Sequence, residues 1–336
     1  MSVYKMKGEY MKYYELGSSK IAVSEMGLGC MSYGARIDQA ESFERMDEYV
    51  EAGGNFFDTA NIYGRHEKSN IQNGSEEIIG KWLKKSGKRN NVIIASKVGF
   101  SYPGIDSGTS KKQIKEECEK SLKRLGVDYL DLYYLHKDDF DTPMEESLEA
   151  MQELLQEGKI RSIGASNFDA WRLEKANNIC KQNHWVPFSC VQQRHTYLRP
   201  KQGSVFGEQR YVTLEMESFL KENNLILIAY SPLVGGAYMN EKGVPRQYIS
   251  EDNRVRMNVL KSISAESGIS ANQLVYYWLM NSRIQAIPLI APSSHLQFQE
   301  AIGTLKIDAI AYMERLNEAG EGYFGPDFFE REPLYK

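Results

Sequence analysis

Short apolar segments, each followed by a loop and then an amphipathic segment, recur along the whole sequence and constrain its fold more than any other feature. Segments with little polar alternation are typical of parallel strands that are buried on both faces. The predicted strands are residues 23–31, 56–60, 92–98, 129–136, 160–167, 190–195, 225–233 and 286–291. These eight repeats favour an α/β fold, a closed (β/α)8 TIM barrel, over an open doubly wound sheet.

The segments between these strands have the apolar periodicity of helices. The predicted helices are residues 74–85, 110–126, 143–158, 169–182 and 212–223. Thr142 before Pro143 is typical of a capped helix start, and Gly158 is typical of a helix end. Residues 13–23 have the pattern of a β-hairpin that turns near Gly17, ahead of the first barrel strand.

Two predicted strand-to-helix loops, residues 196–210 and 234–252, are longer than a connection requires, so they are candidate substrate or cofactor loops. The aromatic-rich tail, 321–336, follows a core that we place at about 13–320, and either folds over a pocket or packs as a terminus. No linker rich in proline, glycine or serine divides the chain. We therefore predict a single domain over residues 1–336.

Composition argues against several classes of function. The 336 residues carry 41 Lys and Arg against 45 Asp and Glu, and this net charge of −4 argues against nucleic-acid binding, which needs a basic surface. The sequence has no apolar run near the ~20 residues of a membrane span, and its first residues lack the apolar core of a signal peptide. Four cysteines without a CxxC pair and five scattered histidines indicate neither a disulfide framework nor a metal site. We expect a cytoplasmic protein with a small-molecule partner.

Polar side chains end several of the predicted strands. Because the active site of such a barrel gathers at the carboxyl ends of its strands, we expect these side chains to lie on one rim. They are Asp58, Tyr63, Lys97, His136, Ser166, Asn167, Gln192, Tyr230, Ser231 and Leu233. A charge at the end of a buried strand is costly unless it is paired, so we expect an ion pair between Lys97 and Asp58.

These residue types suit the reduction of a carbonyl group. Tyrosine has a reference pKa of about 10, and we expect the Lys97 ammonium to lower the pKa of Tyr63 by favouring the phenolate. Tyr63 can then supply the proton that a carbonyl oxygen needs after hydride transfer. His136 can hydrogen-bond the same oxygen and orient the substrate. The hydride implies a nicotinamide cofactor.

The chain resembles the aldo-keto reductase superfamily over about residues 13–305. The resemblance rests on ordered motifs: G-L-G-C-M at 27–31, F-D-T-A-x-x-Y-G at 57–64, S-K at 96–97, L-H at 135–136, G-x-S-N at 164–167, Y-S-P-L at 230–233 and P-L-I-A-P-S-S at 288–294. It implies a (β/α)8 oxidoreductase that binds NADP(H) across the barrel rim. Tyr63 then matches the general acid, Lys97 and Asp58 its partners, and His136 the substrate-orienting histidine.

The resemblance also implies cofactor contacts. The matching residues are Cys30, Met31, Ser166, Asn167, Gln192, His195, Tyr230, Ser231, Leu233, Gly235, Ser293, Ser294, Gln297 and Glu300. His195 stands where an aromatic residue usually stacks on the nicotinamide. Ser294 stands where many relatives carry an arginine for the 2′-phosphate of NADP. We expect NADP, with NAD as the alternative.

Three functions remain open. The first is a carbonyl reductase, or the reverse alcohol or sugar dehydrogenase. The second is a nicotinamide-binding regulatory or structural subunit without turnover, and the third is a barrel enzyme that acts on phosphate substrates. Arg194 and Arg199 lie in a basic segment beside the expected hydride site. This segment is either solvated charge or a substrate-binding patch for a sugar or another polyhydroxylated or anionic carbonyl compound.

Overall fold

A computed structural model describes residues 11–64, 74–240, 243–284 and 286–320, together with the backbone of residues 3–5. The first strands form an antiparallel sheet of β1 (Val3–Lys5), β2 (Lys12–Glu15) and β3 (Ala22–Ser24). The predicted hairpin is confirmed, and β1 adds a strand beside it. Leu16 and Val23 are buried in one apolar cluster with Phe56 and Ile226, which begin two strands of the barrel. The sheet therefore covers the amino-terminal end of the barrel.

The predicted (β/α)8 barrel is confirmed. Parallel strands pair in chain order into a closed barrel, and Ile290 opposite Leu28 joins the last strand to the first. These strands are β4 (Gly27–Gly29), β5 (Phe56–Asp58), β6 (Ile93–Val98), β7 (Leu132–Leu135), β8 (Ile163–Ser166), β9 (Cys190–Arg194), β10 (Ile226–Tyr230) and β11 (Ala286–Ile290). Most of their residues are buried, because inward side chains fill the barrel and outward ones pack against helices.

Helices cover the outside of the barrel. They are α1 (Gln39–Glu51), α2 (Ser75–Ser86), α3 (Lys111–Leu125), α4 (Met144–Gln156), α5 (Ala170–Asn183), α6 (Leu214–Glu222), α7 (Glu251–Ser267), α8 (Ala271–Asn281), α9 (His295–Gly303) and α10 (Met313–Glu318). The five predicted helices correspond to α2–α6 within two residues at each end. Among the described helices, none is both long and apolar enough to cross a membrane.

Two local predictions are wrong. The predicted strand 23–31 is divided between β3 and β4, because the chain turns at Glu25, whose buried carboxylate accepts a hydrogen bond from the Lys12 N–H at 2.8 Å. Thr142 does not cap α4. Pro143 occupies the N-cap position without a side-chain cap, and the Thr142 hydroxyl donates instead to Asp139 Oδ2 at 2.8 Å.

We call the carboxyl ends of β4–β11 the mouth of the barrel. The mouth lies opposite the N-terminal sheet, and the long loops after β9 and β10 both begin there. Residues 241–242 of the second loop, and the predicted tail 321–336, lie outside the described residues.

Candidate active site

Lys97 is the centre of a buried hydrogen-bonded chain at the mouth. Its side chain points into the barrel, since Ala95, two residues earlier on β6, belongs to the interior cluster. Lys97 Nζ donates to Asp58 Oδ1 at 2.6 Å, to the Thr59 carbonyl at 2.6 Å and to the Tyr63 hydroxyl at 3.3 Å. Lys97 and Asp58 are buried and Tyr63 is half-buried. The structure therefore brings these three predicted residues together, with the expected ion pair formed.

Burial and pairing act in opposite directions on the charges of this chain. Burial lowers the pKa of Lys97, but the Asp58 carboxylate and the hydrogen bonds to Asp58 and Tyr63 raise it above its usual value, so the ammonium persists. Burial raises the pKa of Tyr63, Lys97 lowers it, and the net pKa lies above its usual value. The expected net lowering is therefore wrong for the chain alone, because the loss of solvent outweighs the ammonium. Tyr63 is protonated at neutral pH.

Gln192 extends this chain from the opposite side of the barrel. It lies on β9, and its Nε2 donates to Asp58 Oδ2 at 2.8 Å. Both oxygens of the buried Asp58 carboxylate thus accept a hydrogen bond, one from Gln192 and one from Lys97. Sequence reasoning assigned Gln192 to the cofactor alone and missed this contact, which joins residues 134 positions apart.

His136 follows β7 and lies beside Tyr63. The two rings meet edge to face with centroids 5.7 Å apart, and the Phe100 ring lies 4.7 Å from the imidazole. Burial, assisted by the Lys97 charge, lowers the pKa of His136 well below its usual value, so the imidazole is neutral. Its Nδ1 is buried without a hydrogen-bond partner among the described residues. Phe100 was not predicted, because nothing but its place three residues after Lys97 indicates a role.

Ser166 is the last residue of β8, and Asn167 follows it at the mouth. Asn167 has a left-handed backbone, with φ of 61°, and its Nδ2 donates to the His136 carbonyl at 2.9 Å and to Ser166 Oγ at 3.1 Å. Its Oδ1 accepts from the Arg210 N–H at 3.0 Å and from the Tyr230 hydroxyl at 2.7 Å. The Asn167 amide therefore joins the residue after β7 to the last residue of β10 and to the loop after β9. Its contact with a carboxamide stays a prediction.

His195 follows β9 and is half-buried against Trp278 of α8. The two rings lie 5.6 Å apart at 40°. Burial, assisted by the Arg256 charge, lowers the pKa of His195 to about 4, so the imidazole is neutral at pH 7. Trp278 Nε1 donates to Asn317 Oδ1 at 2.8 Å, which ties the tryptophan to α10. Sequence reasoning missed Trp278, because an aromatic residue in a helix usually indicates only a core position.

The remaining residues of the predicted nicotinamide and pyrophosphate contacts lie after β4 and β10. Cys30 is fully buried, and its thiol donates to the Leu28 carbonyl at 3.4 Å. Met31 is 51% exposed at the mouth. Ser231 and Gly235 have left-handed backbones, with φ of 54° and 67°, and no described atom would lie within 4 Å of a Cβ on Gly235. The backbone of Gly235 therefore faces open space. Leu233, in the same loop, is half-buried.

The predicted adenosine contacts lie at the start of α9. Ser294 is its N-cap residue, and Gln297 Oε1 accepts from the Ser293 hydroxyl at 2.8 Å; all three side chains are exposed. Glu300 differs, because its carboxylate accepts from Ser270 Oγ at 2.6 Å and from Asn272 Nδ2 at 3.1 Å. The Glu300 carboxylate therefore joins α9 to α8.

The two arginines of the predicted basic patch have different surroundings. Arg194, the last residue of β9, is half-buried and donates to Gln209 Oε1. Arg199 is exposed, and its backbone N–H donates to Asn253 Oδ1 at 2.9 Å. Among the described residues, no three His, Cys, Asp or Glu side chains form a group that could hold a metal ion.

Comparison with known proteins agrees with this geometry. A model of the Aldo/keto reductase family matches residues 25–318. The chain is 30% identical over 312 residues to the uncharacterized oxidoreductase YrpG of Bacillus subtilis, a match that covers 88% of this chain and 92% of that protein. It is 28% identical over 349 residues to versiconal hemiacetal acetate reductase of Aspergillus parasiticus, and this match covers 90% of this chain and 96% of that protein. It is 25% identical over 327 residues to an aryl-alcohol dehydrogenase of Pestalotiopsis microspora, and this match covers 91% of this chain and 80% of that protein.

The matched region begins two residues before β4, the first barrel strand, and ends at Glu318, the last residue of α10. It therefore contains the whole barrel and all of the mouth residues described above. Together with the closed barrel, this match confirms the resemblance found in the sequence: the chain belongs to the aldo/keto reductase family of oxidoreductases.

Proposed function

We propose that this protein reduces an aldehyde or ketone with NAD(P)H, and that the same residues serve the reverse oxidation of an alcohol or sugar. The observation that carries the proposal is the hydrogen-bonded chain from Asp58 through Lys97 to Tyr63, with the His136 ring beside it. Membership of the family, and relatives named as a reductase and a dehydrogenase, support this reaction class.

Tyr63 is the proposed general acid. Burial keeps its pKa above the usual value, so the hydroxyl carries a proton to donate. As the proton leaves, the Lys97 ammonium stabilises the charge that develops on the phenolic oxygen, and Asp58 holds that ammonium in place. His136 is neutral and hydrogen-bonds the carbonyl oxygen, which orients it toward Tyr63.

The residues of the mouth suit a nicotinamide nucleotide. We propose NADP as the cofactor, with NAD as the alternative. When bound, the nicotinamide supplies or accepts the hydride. We propose that Met31 and His195 contact its ring, and the neutral imidazole of His195 would not repel the oxidised form. The open space at Gly235 suits the pyrophosphate, and Ser294 at the start of α9 suits the adenosine end.

Replacement of Tyr63 by phenylalanine tests the proposal. We expect kcat for aldehyde reduction to fall by about 10²–10⁴-fold, the usual contribution of a general acid, while the dissociation constants of NADPH and NADH change little. Retained turnover would eliminate Tyr63 as the acid. Tight cofactor binding by the wild type without turnover of any aldehyde, ketone or sugar would favour the regulatory subunit instead.

We further propose a small carbonyl or sugar substrate and a cytoplasmic location. Aromatic rings of Tyr63, Phe100 and Tyr230 border the mouth, and one relative is named for aryl alcohols, so aryl aldehydes are suitable first substrates. The four cysteines are all buried free thiols, which suits a reducing compartment.

A further inference from the structure

Arg194 places a positive charge at the mouth. Along β9, Cys190 belongs to the interior cluster and Gln192 reaches Asp58 inside the barrel. Because side chains alternate along a strand, Arg194 continues the same inward face one layer above Gln192. Its guanidinium lies 4.8 Å from the Phe206 ring and 5.4 Å from the Tyr230 ring.

This charge has no acidic partner in the described part of the chain. Arg194 donates to the neutral Gln209 amide, and its Nε is buried without a hydrogen bond to any described residue. Two other arginines that are buried or half-buried have a carboxylate partner: Arg172 donates to Asp138 and Arg124 donates to Glu76. The buried Arg256 donates to two backbone carbonyls, of Tyr197 and Ala319. A partly buried cation that lacks both a carboxylate and a partner for one N–H is costly unless a ligand supplies them.

Arg194 and the proposed acid border the same space. The Tyr230 ring lies 5.4 Å from the guanidinium, and the Tyr230 hydroxyl donates to Asn167 Oδ1 at 2.7 Å. Asn167 Nδ2 in turn donates to the carbonyl of His136, whose ring lies against Tyr63. Arg194, Tyr230, Asn167, His136 and Tyr63 thus form one contiguous group of side chains at the mouth.

We infer that Arg194 binds a carboxylate of the substrate, so that the preferred substrate is a carbonyl compound that carries a carboxylate. The inference rests on the proposed function, and it assigns the recognition to Arg194 and not to the exposed Arg199. A planar guanidinium matches a carboxylate geometrically, and the Phe206 and Tyr230 rings lie 4.8 Å and 5.4 Å from it.

The test compares each charged aldehyde with a neutral one of similar size: 4-carboxybenzaldehyde with benzaldehyde, and succinic semialdehyde with butanal. We expect the wild type to have the higher kcat/KM for the charged member of at least one pair. Arg194→Gln should lower that kcat/KM by about 10–100-fold, the effect of losing a hydrogen bond to a charged group, and leave the neutral member within about twofold. Arg194→Lys should recover part of the loss.

Arg254→Gln is the matched control, because it removes an exposed arginine of α7 that pairs with Glu251. It should leave the ratio of kcat/KM for the charged aldehyde to that for the neutral aldehyde unchanged in both pairs. Equal kcat/KM for both members of both pairs, or a ratio that Arg194→Gln leaves unchanged, would overturn the inference. So would a weaker affinity for NADPH with the ratio unchanged, since Arg194 would then serve the cofactor.

A binding experiment separates this inference from the proposed function. Benzoate is titrated into the wild type and into Arg194→Gln, each saturated with NADP+, and tryptophan fluorescence is followed. Weaker benzoate binding by the variant supports the inference even if no aldehyde is turned over, whereas equal binding overturns it. Absence of turnover with every aldehyde counts against the proposed function alone.

Discussion

His195 yields a prediction that depends on its pKa and not on the reaction. Burial against Trp278 lowers that pKa to about 4, whereas an imidazole in the unfolded chain has a pKa of about 6.5. The unfolded chain therefore binds this proton more tightly. The stability contributed by the neutral imidazole is complete above pH ~6.5, and it is lost as the pH falls toward about 4. Between pH 8 and pH 5, the free energy of unfolding should fall by up to about 2 kcal/mol on account of this group.

The measurement is urea unfolding at pH 8 and pH 5 for the wild type and for His195→Phe. Phenylalanine keeps a flat ring against Trp278 but does not titrate, so the variant should lose about 2 kcal/mol less than the wild type over this interval. His136, whose pKa is also lowered, is present in both proteins and cancels in the comparison. His184→Asn, which removes an exposed histidine after α5, should behave as the wild type. A difference below about 0.5 kcal/mol between wild type and His195→Phe would refute the reasoning.

Two further substitutions test contacts of the site. Lys97→Met removes the ammonium 3.3 Å from the Tyr63 hydroxyl, so kcat should fall by at least about a hundredfold and any limb of the pH–rate profile that reports Tyr63 should move to higher pH; an unmoved limb would contradict the assigned role. Trp278→Leu removes the ring beside His195, which should cost about 2–4 kcal/mol of stability and raise the His195 pKa measured by NMR from about 4; an unchanged titration would show that the tryptophan does not shield the imidazole.

The barrel could be predicted from the sequence because its strands are buried on both faces. Segments such as 93–98 have the short, mostly apolar pattern that is typical of parallel strands, and the presence of eight of them favours a closed barrel. Local polar contacts could not be predicted in the same way. The division of residues 23–31 depends on Glu25 reaching Lys12, and the start of α4 depends on Thr142 bonding Asp139, so each was decided by one hydrogen bond outside the apolar pattern.

For the site, the sequence predicted which residues lie in contact, but it did not predict the net direction of the pKa shift of Tyr63. Strand ends placed Lys97, Asp58 and Tyr63 together, as the structure has them. The pKa of Tyr63 was predicted in the wrong direction, because burial depends on every residue packed around the ring and a motif contains only the charged neighbours. Partners far along the chain, such as Trp278 beside His195, have no signal in the sequence.

The N-terminal sheet has a kinetic consequence. Because Leu16 and Val23 close the amino-terminal end and inward side chains fill the barrel, a ligand can reach the Lys97 ammonium from the mouth alone. Under the proposed function, a cofactor that lies beneath the substrate at the mouth would have to bind first and leave last. A substrate analogue would then delay release of the cofactor without competing for its place.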